Sequence, residues 1–360
     1  MQPGHRLVVT ALGETPPDAL EHHAHLEPMP PPDPATLAPT DVIIAVAAAQ
    51  VGWVDLIMMS GQYQHVPSPP YTPGLEYAGT VAWRGAEVTT CAVGDRVLID
   101  GFTSGPRSHG AYQRWGGFAS YAVAPAAAVL PIPGALDFEQ ACCLLGNYET
   151  AHHCLITRGR LRAGETVLIL GAAGATGLAA VEVAKARGAR VIAVGRSAAK
   201  LAVVAARGAD HVIALGDAPL RDAVKPLAPD GVDVVYDGVG GELSLAALRC
   251  VTFGARYLIV GWAATPFVAA GKGGRGAPNA NQLPTNLIMM KGLDVLGCPT
   301  VISTVRDPSL RAPRLAAVLD GATTGAYAPH VSHRFALADW KDALYAKWRG
   351  EVIGGAIIRP

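Results

Sequence analysis

Residues 166–188 read TVLILGAAGATGLAAVEVAKARG, an apolar strand pattern that runs through a glycine-rich turn into a helix pattern. Thr166–Leu170 is apolar after its first residue, which is typical of a parallel strand buried on both faces. Beyond the turn, apolar residues recur at helical spacing (Leu178, Val181 and Ala184), and a glycine closes the segment. The stretch therefore predicts a strand, a sharp turn and a helix.

The turn itself has the spacing of a dinucleotide-binding loop. It reads Ala-x-Gly-x-x-Gly, with Ala172 where the usual fingerprint has its first glycine. Small residues let the backbone approach a pyrophosphate, and the helix N-terminus directs its partial positive charge at it. The position between a strand and a helix favours a cofactor site over a chance Gly-x-x-Gly loop. The predicted cofactor-binding residues of the turn are Gly174, Ala175, Thr176 and Gly177.

The end of the next strand predicts which nucleotide binds. An NAD site usually has Asp or Glu there, about 20 residues after the turn, to accept from the ribose hydroxyl. Here residues 194–200 read VGRSAAK, with two cations, a hydroxyl and no carboxylate. Arg196, Ser197 and Lys200 suit charge-assisted hydrogen bonds to a 2′-phosphate. The alternative is a solvated helix start with incidental charges. We expect NADPH as the cofactor.

Strand and helix patterns alternate on both sides of the turn, which predicts a doubly wound parallel sheet of the Rossmann type. The predicted strands are Thr166–Leu170, Arg190–Val194, His211–Leu215, Val232–Tyr236 and Arg256–Val260, and the helices between them include Leu178–Arg187 and Ala198–Arg207.

Upstream of this region the pattern is different. From Asp41 to about Asp100, short β-branched runs are separated by Gly and Pro, which predicts a small, mostly antiparallel β-barrel. Strand-like sequence returns at Val295–Gly297 and Gly354–Ile358, where we expect the barrel domain to finish. The fold class is therefore α/β, with a barrel and a Rossmann sheet. The predicted domains are a catalytic domain, first part, at 1–148, an NADPH-binding domain at 149–290, and the second part of the catalytic domain at 291–360.

Composition excludes several classes of protein. Lys plus Arg and Asp plus Glu both number 29, so no global positive field favours a nucleic-acid partner. No run approaches the ~18 apolar residues of a membrane span, and the first residues lack a signal-peptide pattern. The six cysteines are scattered without Cys-x-x-Cys spacing. We expect a cytoplasmic protein with reduced thiols and a small-molecule substrate.

Nearly the whole chain, from about residue 37 to 360, resembles the medium-chain dehydrogenase/reductase superfamily, in its zinc-independent quinone oxidoreductase and enoyl reductase branch. The resemblance implies a GroES-like β-barrel catalytic domain with a Rossmann domain inserted. Besides the glycine turn, the segments that carry it are DLIMMSGQY (55–63), PGLEYAG (73–79), VGDRV (93–97), NYETA (147–151), DGVGG (237–241) and NLIMMKGLDVLG (286–297).

Zinc ligands of the metal-dependent relatives are missing at the matching positions. Those relatives have a cysteine three residues before the aspartate that matches Asp55, and a histidine that matches Leu75. Here Gly52 takes the cysteine position, and the third ligand position, at about Gly146 and Asn147, has no cysteine either. Without thiolate and imidazole ligands a tetrahedral zinc site cannot form. We expect no metal.

Hydride transfer without a metal favours acceptors that delocalise negative charge to an oxygen, such as a quinone, an enone or an enoyl thioester. Tyr63 matches a tyrosine that in related enoyl reductases donates the proton or orients the substrate; the alternative is that it only packs on the cofactor. Thr150 matches a residue near the nicotinamide carboxamide. Quinone reductases usually have an Asn two or three residues before the aspartate that matches Asp55. That Asn is missing here, and we expect Trp53 to form a wall of the site instead. Gly240, Gly261 and Trp262 follow strands whose carboxyl ends should line the crevice.

Two segments, 101–118 and 266–284, are longer than the resemblance implies. Loops of this length are usually functional or mobile, and we expect a lid that contacts an acidic or polar substrate. In the family, the strand after the last Rossmann helix often pairs across a two-fold axis. Residues 280–300, with the β-branched run at 301–303, occupy that part of this chain and predict a homodimer. The overall prediction is an NADPH-dependent quinone or enone reductase; the alternative is an NADPH-binding sensor or structural protein with little catalysis.

Overall fold

The computed structural model describes residues 1–108, 110–264 and 281–360. Within these ranges the strands are β1 (Gly4–Val9), β2 (Ala24–Met29), β3 (Asp41–Gln50), β4 (Tyr77–Arg84), β5 (Arg96–Ile99), β6 (Tyr121–Pro125), β7 (Val129–Pro131), β8 (Thr166–Leu170), β9 (Arg190–Gly195), β10 (His211–Ala214), β11 (Val232–Asp237), β12 (Val251–Ile259), β13 (Asp294–Gly297), β14 (Val331–Ala336) and β15 (Gly355–Arg359). The helices are α1 (Pro16–His22), α2 (Trp53–Met59), α3 (Phe138–Cys142), α4 (Leu145–His152), α5 (Ala175–Ala186), α6 (Ala198–Ala206), α7 (Leu220–Val224), α8 (Gly241–Ala247), α9 (Thr285–Lys291), α10 (Thr300–Arg306), α11 (Arg311–Thr323) and α12 (Trp340–Trp348).

The chain divides into two compact units. We call the first, residues 1–145 and 328–360, the barrel unit, and the second, described over 146–264 and 281–327, the sheet unit. None of the described helices combines the length and the apolar character needed to cross a membrane.

The barrel unit is built around the long strand β3. Along one side β3 pairs with β4, while on the other β6 pairs with its first half and β15 with its last residues, all antiparallel. The order β14-β15-β3-β4-β5-β7 completes this sheet, in which β14 and β15 are parallel. Its core is a continuous apolar cluster that includes Ile44, Leu56, Tyr77 and Phe118, each 2% exposed or less. The predicted antiparallel architecture is confirmed here.

In the sheet unit, the described strands form a parallel sheet in the order β10-β9-β8-β11-β12-β13. Counted from β8, this order is 3-2-1-4-5-6, the doubly wound arrangement whose crossover direction reverses between the first and fourth strands. Helices cover both faces of a doubly wound sheet, so its strands carry apolar side chains on both faces. Leu168, Ile192 and Val235 are accordingly buried in the core of this unit. The predicted Rossmann fold is confirmed.

Two expectations for residues 291–303 differ from the structure. The sequence pattern placed Val295–Gly297 in the barrel, but β13 extends the parallel sheet, with Tyr257 opposite Val295. The run 301–303 was expected to add β-branched surface beside that strand for the predicted dimer, but its residues lie in helix α10. A four-residue apolar strand carries no periodicity that tells one sheet from another, and intrinsic strand preference yields to tertiary packing.

Candidate cofactor and acceptor sites

The glycine turn follows β8 and leads directly into helix α5. Gly171 has φ +69°, a conformation that suits glycine, and Gly174 is the N-cap of α5 with no side chain capping the helix amides. A Cβ atom added at Gly177 would lie 2.5 Å from the carbonyl oxygen of Gly171, so a larger residue does not fit. At exposed Gly174 an added Cβ would meet nothing nearer than 3.4 Å. Ala175 and Thr176 supply the first helical amides, which leaves this N-terminus open to an anion.

Three predicted nucleotide-selecting residues lie together where β9 ends and α6 begins. Arg196 is exposed, whereas Ser197 and Lys200 are partly buried. Ser197 is the N-cap of α6, and its Oγ accepts from the Lys200 N–H at 3.4 Å. Ser197 therefore serves the helix with its oxygen lone pair, while its own O–H stays able to donate.

The turn after β11 is shaped by the carboxylate of Asp237, which is 2% exposed. Its Oδ1 accepts the N–H groups of Val239 and Gly240, each at 2.9 Å. Its Oδ2 accepts the hydroxyls of Tyr257, at 2.8 Å, and of Ser244. A buried carboxylate with four donors fixes the backbone where β11 leaves the sheet.

The predicted crevice residues meet at this turn. Gly240 has φ +79°, and a Cβ added to it would lie 3.1 Å from Cα of Trp262. The Gly261 N–H donates to the Asp237 carbonyl oxygen at 3.2 Å, and half of the Trp262 surface is exposed. Gly240, Gly261 and Trp262 are therefore neighbours at the carboxyl ends of β11 and β12, next to the point where the strand order reverses.

Thr150 lies partly buried on helix α4, beside a buried ion-pair network. Its neighbour Glu149, 1% exposed, accepts from Nε of Arg314 at 2.9 Å and from Nη2 of Arg311 at 3.0 Å. Arg314, itself 2% exposed, also donates to Oγ1 of Thr304 at 2.7 Å. The network ties α4 to α10 and α11 of the sheet unit and fixes the helix that carries Thr150.

Tyr63 lies in the barrel unit, four residues after α2 ends. It is partly buried, and its ring stands edge-on to His65 at 6.1 Å between centroids. Burial raises the pKa of Tyr63, while the charge of Arg107 opposes that rise. The phenol is therefore protonated at neutral pH and able to donate a proton.

Trp53, the first residue of α2, has a packing role in the structure. Its ring stacks on Trp348 of α12 at 5.5 Å, with 10° between the planes, and packs against the barrel-unit core. Trp53 therefore lies at the start of helix α2, and Tyr63 follows its end.

Asp55 ties together the segments that hold zinc in metal-dependent relatives. Its carboxylate is 2% exposed and accepts the N–H groups of Gly52 at 2.9 Å, and of Gly74 and Leu75 at 3.1 Å. Burial raises the pKa of Asp55 to about 6, against the lowering effect of these three amides. Across the described ranges, no group of three or more His, Cys, Asp and Glu side chains is arranged to hold a metal ion.

The long segment 101–118 is hydrogen-bonded, over its described residues, both within itself and to β3. The Ser108 hydroxyl donates to the Gly105 carbonyl at 2.7 Å, and the Tyr112 hydroxyl donates to Asp41 at 2.5 Å. The Arg107 guanidinium lies over the Phe102 ring at 5.2 Å. Of the other predicted lid, 266–284, residues 266–280 lie outside the described residues.

Local reasoning on the sequence missed the roles of three acids: Asp55, Glu149 and Asp237. Each stands inside a motif that carried the resemblance, so an acidic residue within an apolar or glycine-rich motif was the available signal. Their partners were not visible locally, because Arg314 is 165 residues from Glu149 and Leu75 is 20 residues from Asp55.

Comparison with known proteins agrees with this architecture. Residues 38–134 match the family model described as alcohol dehydrogenase GroES-like domain, and residues 175–308 match the one described as zinc-binding dehydrogenase. The chain is 31% identical over 314 residues to mouse quinone oxidoreductase-like protein 2, covering 86% of this chain and 82% of the mouse protein. It is 34% identical over 223 residues to mouse quinone oxidoreductase, covering 61% and 64% of the two chains.

A solved structure gives the same picture over the full length. A mycobacterial protein in complex with NADPH is 26% identical, superposes with a TM-score of 0.78, and covers 99% of this chain and 100% of its own. With the confirmed barrel and Rossmann units, these matches identify the family: the chain belongs to the medium-chain dehydrogenase/reductase superfamily, in its quinone oxidoreductase branch.

Proposed function

We propose that this protein is an NADPH-dependent, zinc-independent reductase that transfers hydride to a quinone or to an α,β-unsaturated carbonyl compound. The observation that carries the proposal is the uncapped N-terminus of α5 beside β8, where the strand order reverses, with Arg196 one strand away. An NADPH-bound mycobacterial neighbour and relatives named quinone oxidoreductases support it.

The residues of the sheet unit fit a dinucleotide. Gly174, Ala175, Thr176 and Gly177 offer a glycine cradle and open helix amides to the pyrophosphate. Arg196 and Lys200 would bind the 2′-phosphate as cations, and Ser197 would donate its hydroxyl proton. The bound cofactor supplies the hydride.

The remaining steps are assigned to side chains of the protein. Thr150, on a helix fixed by the Glu149 network, would orient the nicotinamide carboxamide, and Trp262 with Gly240 and Gly261 would border the ring end of the site. Tyr63 would deliver the proton that an enone or enoyl thioester needs after hydride addition. A reduced quinone can take its protons from water, so Tyr63 matters less for quinones.

The donor set supports the proposed zinc independence. Gly52 and Leu75 carry no ligand atoms, and their backbone amides are bound to Asp55. Although one matching family model is described as zinc-binding, these side chains cannot complete a tetrahedral site.

A panel assay tests the proposal. Purified protein should consume NADPH with at least one class of acceptor among naphthoquinones, enones and enoyl-CoA thioesters. If NADPH binds with a stoichiometry of one but no acceptor is reduced, the alternative of an NADPH-binding sensor or structural protein replaces the reductase.

We also propose a homodimer formed through the edge of the parallel sheet. Among the described strands, β13 lies at one edge of the parallel sheet, and its outer side would offer backbone hydrogen bonds to a second copy. Exposed apolar side chains belong to the same unit: Phe253, Met289, Met290, Ile302 and Val305. Light scattering at micromolar concentration should give twice the 37.2 kDa chain mass. A monomeric mass would rule the dimer out.

A further inference from the structure

The sheet unit contains a second cationic site, at the opposite end of the strands from the glycine turn. A cavity of about 110 Å³ lies against Gly231 and Val251, where β11 and β12 begin. Parallel strands present their amino ends at one edge and their carboxyl ends at the other, so this cavity is not part of the cofactor site proposed above. It has room for several waters, and therefore for one tetrahedral oxyanion.

Four cations line this cavity together with a single carboxylate. The cations are Arg221, Lys225, Arg249 and Lys291, and the carboxylate is Asp230. The formal charge of the lining is thus 4 − 1 = +3. Among the described residues, none of the four cations forms an ion pair, although ten other arginines and lysines of those ranges do.

Helix termini explain part of this cluster. Lys291 is the last residue of α9, Lys225 caps α7, and Arg249 follows α8, so each lies near a helix C-terminus that favours a cation. Lys291 also donates to the Val251 carbonyl oxygen at 2.7 Å. These contacts satisfy individual helices and need no ligand.

Arg221 is not explained in this way. Helix α7 has only five residues, so Arg221, the second of them, lies in its first turn and in its last turn, and the opposite effects of the two helix ends on a cation largely cancel. The charge of Arg221 also acts on Lys291: burial lowers the pKa of Lys291, and Arg221 lowers it further. The two cations, which line the same cavity, therefore lie close enough to repel each other.

We propose that this cavity binds a phosphate group, either inorganic phosphate or the phosphate of a small phosphate monoester, with Arg221 and Lys291 as its main ligands. A dianion offsets most of the +3 lining, whereas a monocarboxylate offsets a third of it. Guanidinium and ammonium groups together match the oxygen atoms of such a dianion.

The test is isothermal titration calorimetry with inorganic phosphate and, in a second arm, with glycerol phosphate, in a chloride buffer of constant ionic strength. Saturable binding with a stoichiometry of one is expected in at least one arm, and the arm that binds more tightly identifies the source of the phosphate. Because both cations are at the surface or partly buried, Arg221→Gln and Lys291→Gln should fold normally. Each should weaken binding at least tenfold.

Two control variants locate the binding. Arg162→Gln removes an exposed cation of the same unit outside the cavity and should leave the Kd unchanged. Arg196→Ala should also leave it unchanged, because Arg196 belongs to the proposed cofactor site. Three results would overturn the proposal: no binding of either phosphate, unchanged binding in the Arg221 and Lys291 variants, or binding lost in Arg196→Ala. The calorimetry needs no turnover, so it stands apart from the proposed reductase activity.

Discussion

Arg314 donates its Nε–H to the carboxylate of Glu149 at 2.9 Å, and both side chains are buried, 2% and 1% exposed. Arg311 shares the same carboxylate from the side that is more open to solvent. Two guanidinium groups on one buried acid hold helix α4 against α11. Loss of the carboxylate charge would leave Arg314 charged and buried, and its other side-chain partner among the described residues is the neutral hydroxyl of Thr304.

Glu149→Gln should therefore destabilise the protein by roughly 3–5 kcal/mol, the usual loss when one partner of a buried ion pair is removed. Urea unfolding measures this loss. The matched control is Asp294→Asn, which breaks an exposed pair with Arg160 in the same unit and should cost less than about 1 kcal/mol. Equal losses in the two variants would show that the buried network contributes no more than a surface pair.

His153 should make stability fall in mild acid. Its side chain is 1% exposed and both ring nitrogens lack a hydrogen-bond partner among the described residues. Burial, with help from Arg314, lowers the pKa of His153 to about 4. Between pH 6.5 and 4, His153 then binds a proton in the unfolded chain but not in the folded chain. The free energy of unfolding therefore falls as the pH falls.

The size of that effect follows from the lowered pKa. From pH 7 to pH 4.5, wild type should lose about 2 kcal/mol more than His153→Phe, which cannot take up the proton. Urea titrations at both pH values measure it. His5→Asn, at an exposed histidine, should follow wild type. Equal losses of unfolding free energy in wild type and His153→Phe would contradict the assignment of this pH dependence to His153.

The sheet unit shows how much of the fold could be predicted from sequence. Buried parallel strands read as continuous apolar runs, so Thr166–Leu170 was placed correctly at both ends. Strand β13 was assigned to the wrong sheet, because its four residues carry no information about whether β12 or a barrel strand is the partner.

In the candidate sites, too, some residues could be predicted from sequence and others could not. Gly177 and Gly240 could be found from sequence because the turns they occupy exclude a side chain, a local requirement. The contacts of the acids that shape the sites could not be found from sequence. Asp237 acts on Tyr257 and Glu149 on Arg314 through contacts that exist only once distant segments fold together.

Arg196 should determine the preference for NADPH. The unmutated protein should bind NADPH at least tenfold more tightly than NADH, which is ~1.4 kcal/mol. Arg196→Ala should shrink this preference and leave NADH binding almost unchanged, since NADH has no 2′-phosphate. Arg162→Ala, which lies before the amino end of β8, is the control. Equal affinities for NADPH and NADH in the unmutated protein would contradict the assignment of Arg196 to the 2′-phosphate.

Tyr63→Phe separates proton donation from packing. With an enone, loss of a general acid should lower kcat by roughly 10²–10⁴, while NADPH binding changes little because the ring remains. With a quinone the effect should be small. If Tyr63 only orients the substrate, KM should rise at nearly constant kcat. Tyr121→Phe removes another barrel-unit hydroxyl as a control. Unaltered kcat and KM on both substrates would exclude Tyr63 from the mechanism.

Metal content should be negligible in the active protein. Gly52 and Leu75 stand at the positions that match two zinc ligands of the metal-dependent relatives, so elemental analysis should find far less than one zinc per chain, and chelators should leave the rate intact. Zinc near one equivalent, with activity lost on chelation, would refute this.

Transfer of deuterium from NADPH labelled at C4 of the nicotinamide, on the face that is transferred, tests the central claim most directly. Both C4 diastereomers are used, since the transferred face is not known beforehand. With an enone acceptor, mass spectrometry should find one deuterium at the carbon β to the carbonyl in one of the two reactions, with one NADP⁺ formed per product. Formation of NADP⁺ with quinones alone would narrow the acceptor to quinones. NADPH that binds but yields neither NADP⁺ nor a labelled product with any acceptor would contradict the reductase.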